Sequence, residues 1–174
     1  MGILAPRQPD EDDMYTKALV AIELGSEPAR QVLERARAFA DASLPGPDSL
    51  WVVHVVEPQY VQYSFDPTFT GSLTRAMEQD AIATAASRVA AVCTPWGIPA
   101  ERQAVLLGRP SERIHEFARE HGFDLIILGS HGRDGLRVIL GSTATATLHD
   151  APVDVMTIRI RQSGPQHQTE EPCP

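Results

Sequence analysis

The stretch LIILGSHGRDGLRVILGSTA, residues 125–144, begins with an apolar run and continues into a segment rich in glycine and hydroxyl side chains. With Asp124 in front of it, the run reads DLIILG (124–129), and no polar residue interrupts its apolar part. A strand that is apolar throughout is typical of a parallel sheet with helices on both faces, because both of its own faces are buried. This stretch therefore indicates an α/β protein.

Strand-like and helical segments alternate on either side of this run. Apolar runs rich in strand formers occupy residues 17–24, 49–56, 102–107 and 153–160. Ser26 is predicted to cap the first helix, whose apolar face is Ala29, Val32, Leu33, Ala36, Phe39 and Ala40. The face predicted for the second, Ala-rich helix is Ile82, Ala85, Ala86, Val89 and Cys93. Pro110 and Gly122 bound a third helix, and a short fourth helix is predicted near residues 142–149.

This β-α-β-α-β-α-β-α-β order predicts right-handed crossovers and a five-stranded, parallel, doubly wound sheet of the Rossmann-like class. The strand order that fits five strands is 3-2-1-4-5, which places strands 1 and 4 on either side of the point where the winding reverses. Ligands of such sheets bind beyond the carboxyl ends of those two strands. Strand 4 ends at Gly129, so the glycine-rich segment is expected at the ligand site.

Composition and charge exclude several classes of protein. The net charge of −8 over 174 residues argues against a nucleic-acid partner, because phosphate backbones need a basic surface. We expect no signal peptide and no membrane span, since the apolar runs are far shorter than the ~20 residues that a bilayer requires. Cys93 and Cys173 match no metal-ligand spacing and are expected to be free thiols of a cytoplasmic protein.

The two ends of the chain are polar and rich in proline. We expect residues 1–14 and 161–174 to be disordered extensions of one folded domain, residues 15–160. The acidic run DEDD (10–13) fits either a divalent-cation site or, as we favour, a solvated acidic tail. No metal site is expected in the folded domain.

The glycine-rich segment has the chemistry of an anion site. Gly129, Gly132 and Gly135 allow positive φ and a close approach of the backbone to a ligand. Residues 141–143, Gly-Ser-Thr, precede the last helix, where free N–H groups and the helix dipole favour negative charge.

Charged residues in the same segment are mainly basic. His131, Arg133 and Arg137 outweigh Asp134. The spacing fits a phosphate-binding loop, and it equally fits a glycine-rich turn with a serine N-cap and solvated arginines.

Sharper catalytic motifs are absent from the sequence. There is no G-x-x-x-x-G-K-[ST], no G-x-G-x-x-G and no G-x-S-x-G. His115 and His121 lie six residues apart, about 240° around a helix, and cannot share one metal ion. His54 is interpreted as a packed core histidine rather than a base. No nucleophile, base and orienting group come together, so we expect no enzyme.

From Lys17 to Ile160 the chain resembles the universal stress protein family. The similar blocks are VAIELGSE (20–27), VVHVVEP (52–58), GRPSERIHEFAREHGFDLIILGSHGR (108–133) and LGSTATATLHDAPVDVMTIR (140–159). The resemblance implies a Rossmann-like sheet, a homodimer and, in one branch, an ATP site built on G-x2-G-x9-G-[ST]. The ligand it implies is ATP, ADP or AMP, with or without Mg²⁺.

The resemblance also implies roles for particular residues. Adenine would lie against Ala21, Ile22 and Val55, with Leu128 in the same nucleotide-binding set. The phosphate motif falls on Gly129, Gly132, Gly141, Ser142 and Thr143, with His131 and Arg133 nearby. Glu23 takes the place of the acidic residue that faces ribose and phosphates.

Two features depart from the ATP-binding pattern. Glu23 stands where the family has Asp, which moves the carboxylate out by one methylene. The spacer at 133–140 has eight residues instead of nine, a difference of ~3 Å along the chain. Another branch of the family does without nucleotide. The hypotheses are therefore a nucleotide-binding stress or regulatory protein, a nucleotide-free homodimer acting through protein partners, and, third, a slow ATPase.

The last strand is the predicted dimer interface. In order 3-2-1-4-5 the strand at 153–160 is a sheet edge, and no Lys or Pro within it blunts that edge. Antiparallel pairing of two copies would satisfy its backbone and bury Met156 and Ile158. The alternative is an edge covered by the C-terminal tail.

Overall fold

The computed structural model describes residues 15–58, 71–132 and 141–161 of the chain. These residues contain strands and helices in alternation: β1 (Ala18–Ala21), α1 (Ser26–Ser43), β2 (Leu50–Val56), α2 (Gly71–Cys93), β3 (Gln103–Leu107), α3 (Pro110–Glu120), β4 (Leu125–Gly132), α4 (Ser142–Leu148) and β5 (Asp154–Arg161). The strands form one sheet in the order β3-β2-β1-β4-β5, and every neighbouring pair is parallel. The predicted doubly wound sheet and its strand order are confirmed.

The start of β1 is fixed by a carboxylate from the turn before β4. Asp124 accepts hydrogen bonds from the backbone N–H groups of Thr16 (2.7 Å) and Lys17 (3.0 Å). One residue later the two strands begin to pair, with Ala18 opposite Leu125. This contact sets the register of the two central strands at their amino ends.

Helices cover both faces of the sheet, and consecutive strand residues pack against different helices. Val20 and Ile127 belong to the core on the side of α1 and α2, whereas Leu19 and Ile126 belong to the core on the side of α3 and α4. All four side chains are fully buried. The uninterrupted apolar run of β4 is explained by this burial on both faces.

Helix ends follow the sequence signals except at α1. Gly25, in extended conformation, is the N-cap, and Ser26 is the first helical residue, so the prediction that Ser26 caps the helix is wrong. Pro28 lies in the first turn, where a missing N–H leaves no intrahelical hydrogen bond unmade. Helix α3 begins at Pro110, and Gly122 follows it with φ of +66°. Only glycine adopts that left-handed conformation without steric cost.

The long helix α2 packs one face on β2 and β3. Val89 and Cys93 are fully buried, and Ala85 is nearly so, but Ala86 is exposed although it was predicted on the buried face. Burial raises the pKa of the Cys93 thiol to about 11. Cys173 and the acidic run at 10–13 lie outside the described residues. In the described part of the chain, no helix has the length and apolar character needed to cross a membrane.

Candidate functional site

A crevice opens where β1 leaves the sheet and β4 continues. Ala21 is the last residue of β1 and lies opposite Leu128. The next residue, Ile22, turns toward β2 and donates its N–H to the carbonyl oxygen of Val53 at 3.0 Å. Strand β4 runs on to Gly132 and pairs along this part with β5, so the prediction that strand 4 ends at Gly129 is wrong. The crevice therefore lies at the predicted reversal of the winding, beyond the carboxyl end of β1.

The crevice holds a pocket with about 630 Å³ of empty space, including its open mouth. Pockets for small molecules are mainly apolar. The lining residues are Ala21, Ile22, Glu23, Pro28, Ala29, Val32, Val53, His54, Val55, Pro110, Ile114, Leu128, Gly129, Thr143, Ala144 and Ile160. Helix α1 bounds the pocket on one side, and α3 and α4 bound it on the other. Its apolar walls suit the apolar part of a small organic ligand.

Seven of the twelve residues predicted as a nucleotide site line this pocket. They are Ala21, Ile22, Glu23, Val55, Leu128, Gly129 and Thr143. His131 and Gly132 form the end of β4, opposite Ile160 and Arg161. Gly141 and Ser142 begin α4. Arg133 lies outside the described residues, as do Asp134, Gly135 and Arg137.

Gly129 is required for packing and does not have the positive φ that was predicted for it. It lies inside β4, and the described glycines with positive φ are Gly97, Gly108 and Gly122. A β-carbon at position 129 would lie 2.7 Å from Cδ1 of Ile160 and 2.8 Å from Cγ2 of Val32. Both distances are far below van der Waals contact, so the absence of a side chain lets α1 lie close to β4 and β5.

The first turn of α4 faces the pocket. Gly141 is its N-cap, and its carbonyl oxygen accepts the first helical hydrogen bond, from the N–H of Thr145 at 2.9 Å. Thr143 and Ala144 reach the pocket wall. The first N–H groups of a helix have no acceptor within the helix, and they form the positive end of its dipole. The phosphate-binding role predicted for Gly141, Ser142 and Thr143 stays a prediction.

Two ionisable residues occur in the described lining, Glu23 and His54. Glu23 is exposed and lies two residues beyond the end of β1. His54 is half-buried in β2, and its Nδ1 lies 2.9 Å from the carbonyl oxygen of Ile22. Because a carbonyl oxygen only accepts, Nδ1 carries the hydrogen. The expected packed histidine is thus a residue of the pocket wall that also holds the backbone at the end of β1.

Apart from His54, the lining residues outside the predicted nucleotide site lie in helices α1, α3 and α4 or in strands β2 and β5. They are Pro28, Ala29, Val32, Val53, Pro110, Ile114, Ala144 and Ile160. Several belong to apolar faces that the helical spacing had predicted as buried. That spacing shows which face turns inward, but not where along the helix a pocket opens.

The described residues contain no cluster of side chains that could hold a metal ion. In residues 15–58, 71–132 and 141–161, no three His, Cys, Asp or Glu side chains lie close enough to hold a metal ion. His115, from the helix with two histidines, bonds through Nε2 to the carbonyl oxygen of Thr147 at 2.8 Å. His121 bonds through Nδ1 to the carbonyl oxygen of Phe117 at 3.1 Å. His115 therefore connects α3 to α4, and His121 lies at the end of α3.

Comparison with solved structures supports the architecture. The structure of protein MJ0577 from Methanocaldococcus jannaschii superposes with a TM-score of 0.65 at 21% identity, covering 86% of this chain and 99% of that one. The universal stress protein UspA of Lactobacillus plantarum gives 0.55 at 26% identity, covering 83% and 98%. A universal stress protein solved in complex with cAMP gives 0.51 at 19% identity, covering 84% and 98%.

Comparison of sequences identifies the family. Universal stress protein A homolog 2 of Coxiella burnetii is 33% identical over 151 residues, which are 87% of this chain and 99% of the relative. A universal stress protein of Thermus aquaticus is 32% identical over 84% of this chain and 100% of its own length. The family model described as "Universal stress protein family" matches residues 14–159. The chain belongs to the universal stress protein family.

Proposed function

We propose that this protein binds an adenine nucleotide, ATP, ADP or AMP, in the pocket beyond β1 and β4. The observation that carries the proposal is one apolar crevice with the first turn of α4 at its wall and Glu23 at its rim. Such a crevice offers an apolar surface for a base, hydrogen-bond donors for phosphate and a carboxylate for hydroxyl groups. These are the three chemical parts of a nucleotide.

The base would lie against the apolar part of the wall. Ala21 and Val55 are half-buried, Ile22 and Leu128 are almost completely buried, and all four line the pocket. Burial of an aromatic base against such side chains is favourable by about 25 cal/mol for each Å² of apolar surface removed from water. This part of the pocket supports binding but distinguishes bases only by shape.

The phosphates would lie at the start of α4. The N–H groups after Gly141 and the hydroxyl groups of Ser142 and Thr143 are the donors proposed for them. His131, Gly132 and Arg133 complete the proposed phosphate set. If Mg²⁺ accompanies ATP, the phosphate oxygens would supply most of its ligands, as is usual for this ion.

A structural neighbour supports an adenine nucleotide, since the universal stress protein with a TM-score of 0.51 was solved in complex with cAMP. At 19% identity this likeness concerns the fold. The spacer at 133–140 is one residue, ~3 Å of extended chain, shorter than in the ATP-binding pattern, so nucleotide binding is tested by direct measurement.

Isothermal titration calorimetry on the whole chain tests the proposal. The titrants are ATP, ADP, AMP and adenosine, each with and without MgCl₂, and GTP serves as the base control. We expect micromolar binding of at least one adenine nucleotide, about −8 kcal/mol. Absence of heat with all of them at millimolar concentration would refute the proposal and favour the nucleotide-free alternative.

We further propose a binding role without catalysis, in the cytoplasm. The groups in the described pocket wall that could take part in acid, base or nucleophilic chemistry are Glu23, His54 and Thr143, and Nδ1 of His54 already donates to the carbonyl oxygen of Ile22. A buried, protonated thiol at Cys93 suits a reducing compartment. Release of inorganic phosphate from ATP at a rate above the spontaneous one, abolished by a pocket substitution, would contradict the first part.

We also propose a homodimer through β5, which is an edge of the sheet. Ile158 is 6% exposed and already packs in the core of its own chain, so the prediction that dimerisation buries it is wrong. Met156 and Val155 are half-buried and Thr157 is exposed. The proposed contact therefore rests on the backbone of β5, which among the described strands pairs only with β4, and on these three side chains.

A further inference from the structure

The turn between β1 and α1 has three successive carbonyl groups, each of which accepts a hydrogen bond. The carbonyl of Ile22 accepts from Nδ1 of His54 at 2.9 Å. The carbonyl of Glu23 accepts from the N–H of Gly25 at 2.8 Å. The carbonyl of Leu24 accepts from Nη2 of Arg88 at 2.8 Å.

Two of these donors are side chains from distant parts of the sequence. His54 belongs to β2, 32 residues from Ile22, and Arg88 belongs to α2, 64 residues from Leu24. Neither donor is part of the turn or of the helix that follows it. The turn is thus fixed from outside, on both sides of Glu23.

We propose that Arg88 and His54 are positioning residues for Glu23. Hydrogen bonds to the carbonyls before and after a residue restrict its backbone dihedrals and so restrict where its side chain can reach. A carboxylate held in place before binding avoids the entropic cost of being ordered by the ligand. The inference deepens the proposed nucleotide site and rests on it, because Glu23 is the residue assigned there to the ribose.

The guanidinium of Arg88 is suited to this task. Its donor meets a neutral carbonyl, so the contact is a charge-assisted hydrogen bond, stronger than a bond between two neutral groups. Arg88 lies one residue before the fully buried Val89, which fixes the helix on the sheet. The arginine therefore extends from a fixed part of α2 toward an exposed turn.

We call the hydrogen bond from Arg88 to the carbonyl of Leu24 the clamp. Arg88→Met tests the clamp, since methionine keeps a long side chain without donors. Arg75→Met is the matched control, an exposed arginine on the same helix. We expect amide exchange at Gly25 to become about tenfold faster in Arg88→Met and to stay unchanged in Arg75→Met. We expect the Kd for AMP to rise by about five- to tenfold, less than the loss of a whole charge-assisted hydrogen bond, because Arg88 acts on the ribose only through Glu23.

Three further measurements distinguish a positioning role of Arg88 and His54 from a general effect on the stability of the protein. Binding of free adenine, which has no ribose, should be unchanged in Arg88→Met. Arg88→Lys should recover most of the AMP affinity, because an ammonium group can donate to the same carbonyl. Likewise, His54→Asn should keep the AMP affinity better than His54→Leu, because the amide nitrogen of asparagine can replace Nδ1 as donor.

A double variant that combines Arg88→Met with Glu23→Gln tests whether the two residues act together. If Arg88 acts through Glu23, Arg88→Met should add little to the loss that Glu23→Gln alone causes. Additive losses, or an equal loss of free adenine, would overturn the inference. If the wild-type protein binds ATP or ADP but not AMP, the same comparisons are made with the nucleotide that binds. If it binds none of the three, the proposed function is refuted. The exchange rate of Gly25 then still decides whether Arg88 orders the turn, and an unchanged rate refutes the clamp itself.

Discussion

Gly129 and Val32 approach so closely that a β-carbon on Gly129 would lie 2.8 Å from Cγ2 of Val32. The same β-carbon would lie 2.7 Å from Cδ1 of Ile160. We expect Gly129→Ala to lower the free energy of unfolding by about 1–3 kcal/mol, the usual cost of an overpacked core. Urea denaturation followed by circular dichroism measures it.

The same change in an Ile160→Val background should cost less, because valine lacks the δ-carbon that the new methyl group meets. Equal stability of Gly129→Ala and wild type would show that α1 shifts without cost. Because of this packing, substitution of Gly129 cannot test ligand binding cleanly.

Thr143→Glu should weaken ATP binding at least about tenfold. It places a carboxylate at the pocket wall, where the phosphates are proposed to lie, and like charges a few ångströms apart repel strongly outside bulk water. The fold should tolerate the change, because an acidic residue in the first turn of a helix is favourable. Calorimetry with ATP and with adenosine measures the effect, and adenosine should lose much less.

Thr145→Glu is the control for this change, since Thr145 lies on the same helix and is exposed. An unaltered Kd for ATP in Thr143→Glu would mean that the phosphates do not lie at α4.

Glu23→Gln should remove the preference for a ribose with free hydroxyl groups. We expect wild type to bind AMP about tenfold more tightly than 2′,3′-dideoxy-AMP, because a carboxylate accepts hydrogen bonds strongly. In Glu23→Gln the two Kd values should approach each other. The control is Glu27→Gln, which alters an exposed carboxylate in the first turn of α1. A preference retained in Glu23→Gln would place the ribose elsewhere.

Cys93 should make the protein less stable at alkaline pH. Burial raises its pKa from 9.0 to about 11, so the folded protein keeps a proton that the unfolded chain releases. Stability from this difference is complete below about pH 9 and is lost as the pH rises through about 11. A rise of the Cys93 pKa from 9.0 to about 11 corresponds to about 2–3 kcal/mol in the free energy of unfolding.

Two proteins are compared for this prediction, one with Cys93 and one with Cys93→Ala. Both carry Cys173→Ser, so that no second thiol titrates. We expect the free energy of unfolding to fall more steeply between pH 9 and 11 when Cys93 is present. Parallel curves for the two proteins would contradict the assignment.

Thr157→Lys should weaken the proposed dimer. A lysine on an edge strand discourages pairing, and Thr157 is exposed within β5, so the fold should be unaffected. Light scattering should give wild type about twice the 19.0 kDa of one chain, and the variant a lower mass at micromolar concentration. A monomeric wild type refutes the pairing. The control is Thr145→Lys, which should remain a dimer. If Thr157→Lys also remains a dimer, the interface lies elsewhere.

The strand order could be predicted because local patterns decide it. Runs such as 124–129 show burial on both faces, and the alternation of strands and helices permits few windings. The place of the pocket followed from the winding, and seven predicted residues line it. The clamp at Leu24 could not be predicted, because nothing near Arg88 in the sequence indicates which carbonyl its side chain reaches.

The sequence by itself determined the order and type of the elements, the buried faces of the helices and the resemblance to the family. Those properties depend on periodicity, on glycine and proline, and on blocks of contiguous residues. Only the tertiary structure decided that β1 ends at Ala21 while β4 continues to Gly132, which opens the crevice. It likewise decided that Gly129 leaves room for Val32 and Ile160. These relationships join residues far apart in the chain, and they are set by strand register and helix placement, which no local pattern encodes.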